Sequence, residues 1–194
     1  MVAAEIELKF RVRDVQAFLT AVSAAGFDLL TPRTLERNTL YDTPDRVLRA
    51  QRQLLRIRQY GDTTVLTHKK PTDPEREQAL GRFKFRQESE TELSDSEALG
   101  AIFTELGYEP VFRYEKFRTE FSDGTGKLVL DETPIGIFAE AEGEPDWIDK
   151  TVARLGVSSE DCFTDSYGRL FELWQTETGS TVRDMTFEEA CTRV

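Results

Sequence analysis

The sequence predicts an α+β fold, in which a closed antiparallel β-sheet has helices packed on its outside. Several segments alternate apolar and ionic residues with the period of a β-strand, so each would have one apolar and one charged face. The amphipathic helical stretches between these segments need an apolar surface to cover. A curled sheet with its apolar face outward and its charged face inward satisfies both, and closure also removes the free sheet edges.

Composition limits the classes of function. The chain has 194 residues, 31% charged and 39% hydrophobic, as expected of a globular protein. We expect one domain over residues 1–194, with a core over about residues 4–175 and a C-terminal extension over 176–194. The formal net charge of −11 argues against broad binding of nucleic acid or anionic membranes, because both would be repelled. A local basic site stays possible.

Targeting, cysteine and histidine signals are weak. No apolar run is long enough to span a membrane, and the N-terminus lacks the pattern of a secretory signal, so we expect a cytoplasmic protein. Cys162 and Cys191 lack the spacing of a metal site and are expected to be inert thiols. His68 is the only histidine, which gives little support to Ser-His-Asp catalysis or a histidine-rich zinc site.

The first strand shows the alternation most clearly. Residues 4–10 place Ile6, Leu8 and Phe10 on one face and Glu5, Glu7 and Lys9 on the other. Asp14 then predicts the start of a helix, and Gly26 predicts its end. One such charged face is usually solvated surface, but here similar faces recur along the chain.

Further elements follow in order. Strands are predicted over residues 34–42, 54–59, 63–70, 82–93, 111–122, 127–131 and 135–142. A capping box formed by Ser94 and Glu97 predicts a helix that ends at Gly107. Later helices are predicted up to Gly156, over 167–174 and over 185–191, with a linker over 175–183. The polar stretch 71–80 is read as a long surface loop or a lid.

Ionic residues of a single parity mark the strand faces that we expect to converge inside the sheet. These faces carry Glu5, Glu7 and Lys9; Arg56 and Arg58; Lys69; Arg86, Glu88 and Glu90; Lys116 and Arg118; and Glu140 and Glu142. Arginine and lysine match the oxygens of a polyphosphate, and carboxylates match hard cations such as Mg²⁺ or Mn²⁺. A metal–triphosphate complex would satisfy both signs of charge without a glycine-rich phosphate loop.

These residues, in this order, resemble the CYTH family of triphosphate tunnel metalloenzymes, which includes class IV adenylate cyclases, thiamine triphosphatases and inorganic triphosphatases. The motifs are E-I-E-L-K at 5–9, Y-D-T-P at 41–44, L-R-I-R at 55–58, L-T-H-K-K-P at 66–71, R-Q-E-S-E at 86–90, K-F-R at 116–118, L-D at 130–131, F-A-E-A-E at 138–142 and S-Y at 166–167. The resemblance covers most of the chain and implies an eight-stranded antiparallel tunnel.

The resemblance also implies roles for single residues. Triphosphate-binding residues would be Lys9, Arg56, Arg58, Lys69, Arg86, Lys116 and Arg118. One or two divalent cations, Mg²⁺ or Mn²⁺, would be held by members of the set Glu5, Glu7, Glu88, Glu90, Asp131, Glu140 and Glu142, without a decision on which ligate directly. Catalysis would use Lys9 and a Tyr41–Lys69 pair near the leaving phosphate, and Arg169 is a candidate basic residue from the C-terminal helix.

Three functions follow from this reading. The favoured one is metal-dependent hydrolysis of a small-molecule triphosphate, because hydrolysis needs only a triphosphate grip and no adenine-reading residues are evident. The first alternative is a class IV adenylate cyclase that forms cyclic AMP and pyrophosphate. The second is a non-catalytic module that binds polyphosphate or nucleotide. No nucleic-acid or membrane partner is expected, and the protein would be a monomer or a homodimer.

Overall fold

The computed structural model describes residues 2–72, 75 and 81–190, and of residues 2–5 only the backbone. Its strands are β1 (Val2–Arg11), β2 (Asp28–Asp42), β3 (Leu54–Tyr60), β4 (Thr63–Lys70), β5 (Lys84–Glu92), β6 (Glu109–Ser122), β7 (Lys127–Thr133), β8 (Gly136–Glu142) and β9 (Cys162–Phe163). Its helices are α1 (Val15–Ala24), α2 (Val47–Ala50), α3 (Ser96–Glu105), α4 (Pro145–Arg154), α5 (Tyr167–Thr178) and α6 (Phe187–Ala190).

The sheet closes through β1. Strands follow the order β5-β4-β3-β2-β6-β7-β8-β1, and β1 returns to pair with β5, so eight antiparallel strands form a barrel. Closure is possible because the first half of β1 pairs with β5, whereas its second half pairs with β8 and with the short β9. The α+β closed barrel that the sequence predicts is confirmed.

The main apolar core lies outside the barrel wall. Leu8 and Phe10 of β1 are almost completely buried under α1 and α4. The other buried members of this core include Phe18, Val22, Leu128, Leu130, Ala139, Ala141, Ile148 and Val152. The predicted N-cap is confirmed, since the carboxylate of Asp14 accepts a hydrogen bond of 3.0 Å from the amide of Ala17. The apolar parity of β1 therefore faces the helices, and its ionic parity faces inward.

A second core forms where α5 meets one end of the barrel. Tyr167, Leu170 and Phe171 of this helix are buried against inward-facing residues of the strands. These partners include Leu40, Phe112, Tyr114 and Phe138. Their ring contacts, such as Phe112–Phe171 at 5.5 Å between centroids, fix the helix against the barrel.

Several element boundaries differ from the sequence-based expectation, and three of the differences have a local physical reason or consequence. Strand β2 begins at Asp28 rather than 34, because β6 pairs with it across register shifts on either side of Thr31. Asp95, not Ser94, caps α3, and its carboxylate accepts a hydrogen bond of 2.9 Å from the backbone amide of Ala98. Helix α5 continues to Thr178, so part of the predicted linker is helical.

The end of the chain packs on the barrel. Met185 forms an isolated parallel bridge with Tyr114 and is fully buried. The terminal helix is described only over Phe187–Ala190, and Cys191 lies outside the described residues. Most of the 71–80 stretch, which the sequence reads as a loop or a lid, also lies outside them. Across the part of the chain that the structure describes, no helix has the length and apolar character needed to cross a bilayer.

Candidate active site

The barrel encloses a charged cavity of about 720 Å³. The inward parity of β1, β3, β4, β5, β6 and β8 supplies ionic side chains to its wall. From the sequence-predicted set these are Glu7, Lys9, Arg56, Arg58, Lys69, Glu88, Glu90, Lys116, Arg118, Glu140 and Glu142. Because closure of the sheet brings these strand faces together, residues more than a hundred positions apart become neighbours.

Three carboxylates converge at the junction of β1 and β8. One oxygen each from Glu7, Glu140 and Glu142 lies within 4.8 Å of the others. The strand register explains this, since Glu142 is paired directly with Glu7, and Glu140 with Lys9. Carboxylate oxygens are the donors that hard divalent cations prefer, so the residues present fit Mg²⁺ or Mn²⁺.

The charged state of Glu7 is secured by cations. The ammonium of Lys84 forms an ion pair with its carboxylate. Burial alone would raise the pKa of Glu7, but Lys84 and Lys9 lower it to about 2. Glu7 is therefore a carboxylate at neutral pH, as a cation ligand must be.

Lys9 is a buried cation beside this cluster. Its side chain is 3% exposed, and its ammonium forms an ion pair with Glu140. The same ammonium lies 4.7 Å from the ring centroid of Tyr167. Burial opposes the charge, but Glu140 and Glu7 outweigh it and raise the pKa of Lys9 above its usual value. Lys9 therefore stays charged without solvent around it.

Asp131 takes a different place from the other predicted cation ligands. It is fully buried, and its oxygens accept hydrogen bonds from Lys116 at 2.9 Å, from Arg118 at 2.8 and 2.6 Å, and from the Tyr167 hydroxyl at 2.6 Å. It belongs neither to the three-carboxylate cluster nor to the lining of the cavity. Because its two oxygens already accept four hydrogen bonds, Asp131 holds the side chains of Lys116 and Arg118 in place.

Glu36 of β2 supports the same two cations and was not predicted. It is fully buried, with its oxygens 3.4 Å from Lys116 and 3.8 Å from Arg118. The Asn38 side-chain amide donates to it at 2.9 Å. Sequence reasoning missed Glu36 because residues 36–38, Glu-Arg-Asn, are polar at both parities and show no single charged face.

The opposite wall, from β3, β4 and β5, carries a second ionic network. Arg56 donates to the hydroxyl groups of Tyr114 at 3.1 Å and Thr67 at 3.3 Å. The guanidinium of Arg58 lies 3.6 Å from the carboxylate of Glu90. The same carboxylate accepts a hydrogen bond of 2.6 Å from the Thr67 hydroxyl. Lys69 of β4 is paired directly with Glu88 of β5, and its ammonium lies 3.2 Å from the Glu88 carboxylate. This wall therefore presents arginine and lysine groups that acidic neighbours hold in place.

Tyr41 does not line this cavity, whereas Lys69 does, and both residues line the neighbouring cavity at the α5 end. Tyr41 is paired with Leu55, and Leu55 with His68, so these three share the face opposite to that of Lys69. The Tyr41 ring packs 5.1 Å from Phe103 of α3.

Two other predicted residues do not line the barrel cavity, and the side chain of a third is not described. Arg86 and Arg169 line neighbouring cavities at the α5 end and do not line the central one. The side chain of Glu5 lies outside the described residues, although its backbone pairs with Arg86. Sequence reasoning also left out Glu120 and Lys127, as well as Lys84, which line the cavity. The shared parity of Lys84 and Arg86 was a signal that could have found Lys84.

Comparisons with known proteins agree on the fold. The family model described as CYTH domain matches residues 3–167. Adenylate cyclase CyaB of Aeromonas hydrophila is 28% identical over 180 residues, covering 87% of this chain and 88% of that protein. The PH1819 protein of Pyrococcus horikoshii has a TM-score of 0.72 at 22% identity, with coverage of 87% and 98%. The Hippeastrum protein HpAC1, described as having a dominant triphosphatase activity, has a TM-score of 0.59 at 20% identity, with coverage of 92% and 97%.

Proposed function

Because the chain belongs to the CYTH domain family, we propose that it is a divalent-cation-dependent enzyme that hydrolyses a triphosphate inside its barrel. The observation that carries this proposal is the buried Lys9 beside the carboxylates of Glu7, Glu140 and Glu142. A triphosphate that chelates a divalent cation would present its negative oxygens to Lys9 and its positive cation to the three carboxylates.

In this proposal two walls of the cavity grip the phosphates. Lys9, Lys116 and Arg118 come from one wall, and Arg56, Arg58 and Lys69 from the other. Each cation is already held by acidic or hydroxyl neighbours, so little reorganisation is needed when phosphate oxygens arrive. Asp131 and Glu36 act as positioning residues for Lys116 and Arg118, in place of the cation-ligand role first expected for Asp131.

The proposed cation ligands are Glu7, Glu140 and Glu142. A bound Mg²⁺ or Mn²⁺ would neutralise the charge that develops on the phosphates. Glu88 and Glu90 contact Lys69 and Arg58 on the other wall, so we assign them the task of orienting those cations. Tyr41 has no role in the reaction in this scheme, because its side chain lies on the outer face of β2.

Adenylate cyclase is the second candidate, and the similarity to CyaB of Aeromonas hydrophila favours it. A cyclase would use the same triphosphate grip but would also have to place a ribose hydroxyl against the α-phosphorus. A non-catalytic binder is the third. It is less favoured because binding a phosphate chain by itself needs no cluster of three carboxylates.

Product analysis separates the three candidates. Purified protein is incubated with inorganic triphosphate, and separately with ATP, in Mg²⁺, Mn²⁺ or EDTA, and phosphate, pyrophosphate and cyclic AMP are measured. We expect cation-dependent phosphate release without cyclic AMP. Cyclic AMP with matching pyrophosphate would make the protein a cyclase instead, and binding without any product would leave the binding module.

A matched pair of variants ties turnover to the cavity. Lys9→Gln removes the buried cation and should lower turnover about 10²-fold or more, the effect of losing one preorganised charge donor. Arg13→Gln changes an exposed residue away from the cavity and should leave turnover unchanged. Equal turnover in both variants would contradict the proposed site.

A further inference from the structure

Lys84, to which the sequence assigned no role, is the first residue of β5 and lies where three cavities meet. It lines the barrel cavity and also two neighbouring cavities at the α5 end, of about 480 and 420 Å³. It is paired directly with Glu7 of β1. Its side chain is 21% exposed, and its ammonium forms an ion pair with the Glu7 carboxylate. Lys84 is therefore a partly accessible cation on the three-carboxylate cluster.

A lysine contacts each member of the three-carboxylate cluster. The pairs are Glu7 with Lys84, Glu140 with Lys9, and Glu142 with Lys127, the last at 4.0 Å. Carboxylates whose oxygens lie within 4.8 Å of one another repel, and the three ammonium groups offset this repulsion. The lysines therefore supply part of the positive charge that a divalent cation would bring to the same oxygens.

The three lysines differ in how firmly they are held. Lys9 is 3% exposed, and its ammonium also lies 4.7 Å from the ring centroid of Tyr167. Lys127 is 43% exposed, so solvent screens its charge. Lys84 contacts a carboxylate that is only 7% exposed, while its own side chain borders the two neighbouring cavities. Lys84 thus combines a close contact with the cluster and space into which its side chain can move.

The Lys84 ammonium and a divalent cation would be like charges on the same Glu7 carboxylate. Their repulsion is strong where burial excludes water, and each weakens the attraction of Glu7 for the other. Lysine carries a compact charge on a flexible stem, so its ammonium can turn away without a change in the backbone. Lys84 can therefore give up Glu7, whereas Lys9 cannot do the same with Glu140 without disturbing its buried surroundings.

The barrel cavity offers the Lys84 ammonium a second anionic partner under the proposed function. Lys84 lines the same cavity as the cations of the proposed triphosphate grip, among them Lys9 and Lys116. Phosphate oxygens accept charge-assisted hydrogen bonds from lysine. An ammonium that leaves Glu7 would thus move from one anion to another within one cavity. The loss of the Glu7 ion pair is then offset only when a triphosphate is present.

We propose that Lys84 is an exchangeable counter-ion of Glu7, which competes with the divalent cation for that carboxylate and, once displaced, binds phosphate oxygens. Lys84 thereby weakens the binding of the cation alone and strengthens the binding of cation and triphosphate together. Because coupling between two ligands is reciprocal, each raises the affinity for the other. The inference rests on the proposed function for the positions of both ligands, but not on hydrolysis.

The direction of the change in cation affinity separates exchange from a fixed structural role. If Lys84 competes with the cation, its removal should strengthen cation binding. If Lys84 only holds Glu7 in position, its removal should weaken cation binding, because the ligand loses its support. Both roles predict a less stable protein in EDTA, since the buried Glu7 carboxylate loses a partner. Stability alone therefore does not decide between them.

Calorimetry with Mn²⁺ alone measures this direction on the full chain. Lys84→Met removes the charge, and Lys84→Arg keeps it. We expect Lys84→Met to bind Mn²⁺ about tenfold more tightly than the wild-type protein does, and Lys84→Arg to show no such gain. Lys127→Met, which removes the more exposed lysine of the same cluster, is the matched control and should change the affinity by less than about threefold. In a Glu142→Gln background the gain from Lys84→Met should disappear.

A triphosphate analogue with methylene groups in place of its bridging oxygens measures the second half without turnover. In EDTA, Lys84→Met should bind the analogue within about threefold of the wild-type affinity, because Lys84 is engaged with Glu7. In saturating Mn²⁺ the same variant should bind the analogue about tenfold more weakly than the wild type. Circular dichroism checks folding, and Mn²⁺ should raise the melting temperature of Lys84→Met by more than that of the wild type.

Two outcomes would overturn the inference. One is an affinity for Mn²⁺ that is unchanged or weaker in Lys84→Met, and the other is an unchanged affinity of that variant for the analogue in Mn²⁺. If either occurs while the wild-type protein hydrolyses triphosphate, the inference fails and the proposed function stands. If both expected changes occur in a protein that hydrolyses no triphosphate, the exchange stands and the hydrolase fails. An absence of Mn²⁺ binding in every variant would overturn both.

Discussion

The carboxylate of Glu36 lies 3.4 Å from the ammonium of Lys116, and both side chains are at most 3% exposed. Within the described part of the chain, the second oxygen of Glu36 accepts no hydrogen bond. Its interaction with Arg118, at 3.8 Å, is therefore a charge contact. Glu36 thus adds negative charge behind two cations that face the cavity, and Asp131 adds the hydrogen bonds.

Replacing Glu36 tests this arrangement through stability. Burial alone would raise the pKa of Glu36, but Lys116, Arg118, Arg56 and Arg58 lower it to about 2 from a usual value of about 4.5. The stability from its charge is therefore present above pH 4.5 and is lost as pH falls through about 2. We expect Glu36→Gln to cost about 1–3 kcal/mol at pH 7, with the difference shrinking over that acidic range.

Denaturant unfolding at a series of pH values measures this difference directly. Glu132→Gln is the control, because the ion pair of Glu132 with Arg33 is half exposed and should contribute less than about 1 kcal/mol. A difference between wild-type and Glu36→Gln proteins that stays constant down to pH 2 would mean that its charge does not stabilise the fold.

Carboxylate variants should separate cation ligands from orienting residues. Glu142→Gln removes one member of the three-carboxylate cluster, so the rise in melting temperature on adding Mn²⁺ should largely disappear. Glu90→Gln changes a carboxylate on the other wall, which contacts Arg58 and Thr67, and should keep most of that rise. Thermal melts with Mn²⁺ or EDTA decide this. A larger loss in Glu90→Gln than in Glu142→Gln would move the cation site to the β5 wall.

Tyr41→Phe tests whether this tyrosine, which packs on the outer face of β2, takes part in the reaction. Since Tyr41 packs on Phe103 of α3, and a Cβ at Gly100 would lie 3.1 Å from its hydroxyl, that hydroxyl points toward the helix. Turnover of triphosphate should therefore stay within about twofold, whereas Lys69→Met should lower it about 10²-fold. Steady-state kinetics on both variants gives the comparison. A loss in Tyr41→Phe equal to that in Lys69→Met would support the predicted catalytic pair instead.

Tyr167 offers separate readouts for its hydroxyl and its ring. Burial and the charge of Asp131 raise the pKa of Tyr167 well above its usual value, so it remains a donor to Asp131. Tyr167→Phe removes this hydrogen bond and should cost about 1.5–3 kcal/mol. Tyr167→Leu also removes the ring that lies 4.7 Å from both Lys9 and Lys116, and should cost more. Equal unfolding free energies for the two variants would show that the ring contributes nothing through these cations.

Much of the fold was predictable because its signals are local. Alternation in β1 correctly separates Leu8 and Phe10 from Glu7 and Lys9, and Asp14 correctly marks the start of α1. The start of β2 was missed, since Pro32 and the register shifts interrupt its pattern and only the pairing with β6 continues the strand. Asp95 was missed as a cap because Ser94 beside it is an equally good candidate by type.

The sequence by itself determined which side chains share a strand face, because alternation is a property of neighbours along the chain. It could not determine that Glu7 lies beside Glu142, that Asp131 serves Lys116 and Arg118, or that Glu36 lies behind them. Those relations depend on the register between strands far apart in sequence, and a shift of one residue would turn each side chain to the other face. Tyr41 shows the consequence, since the family resemblance implied a place for it beside Lys69, whereas the register turns its side chain to the other face of the sheet. Only closure of the barrel, which buries both signs of charge in one cavity, decided which charges meet.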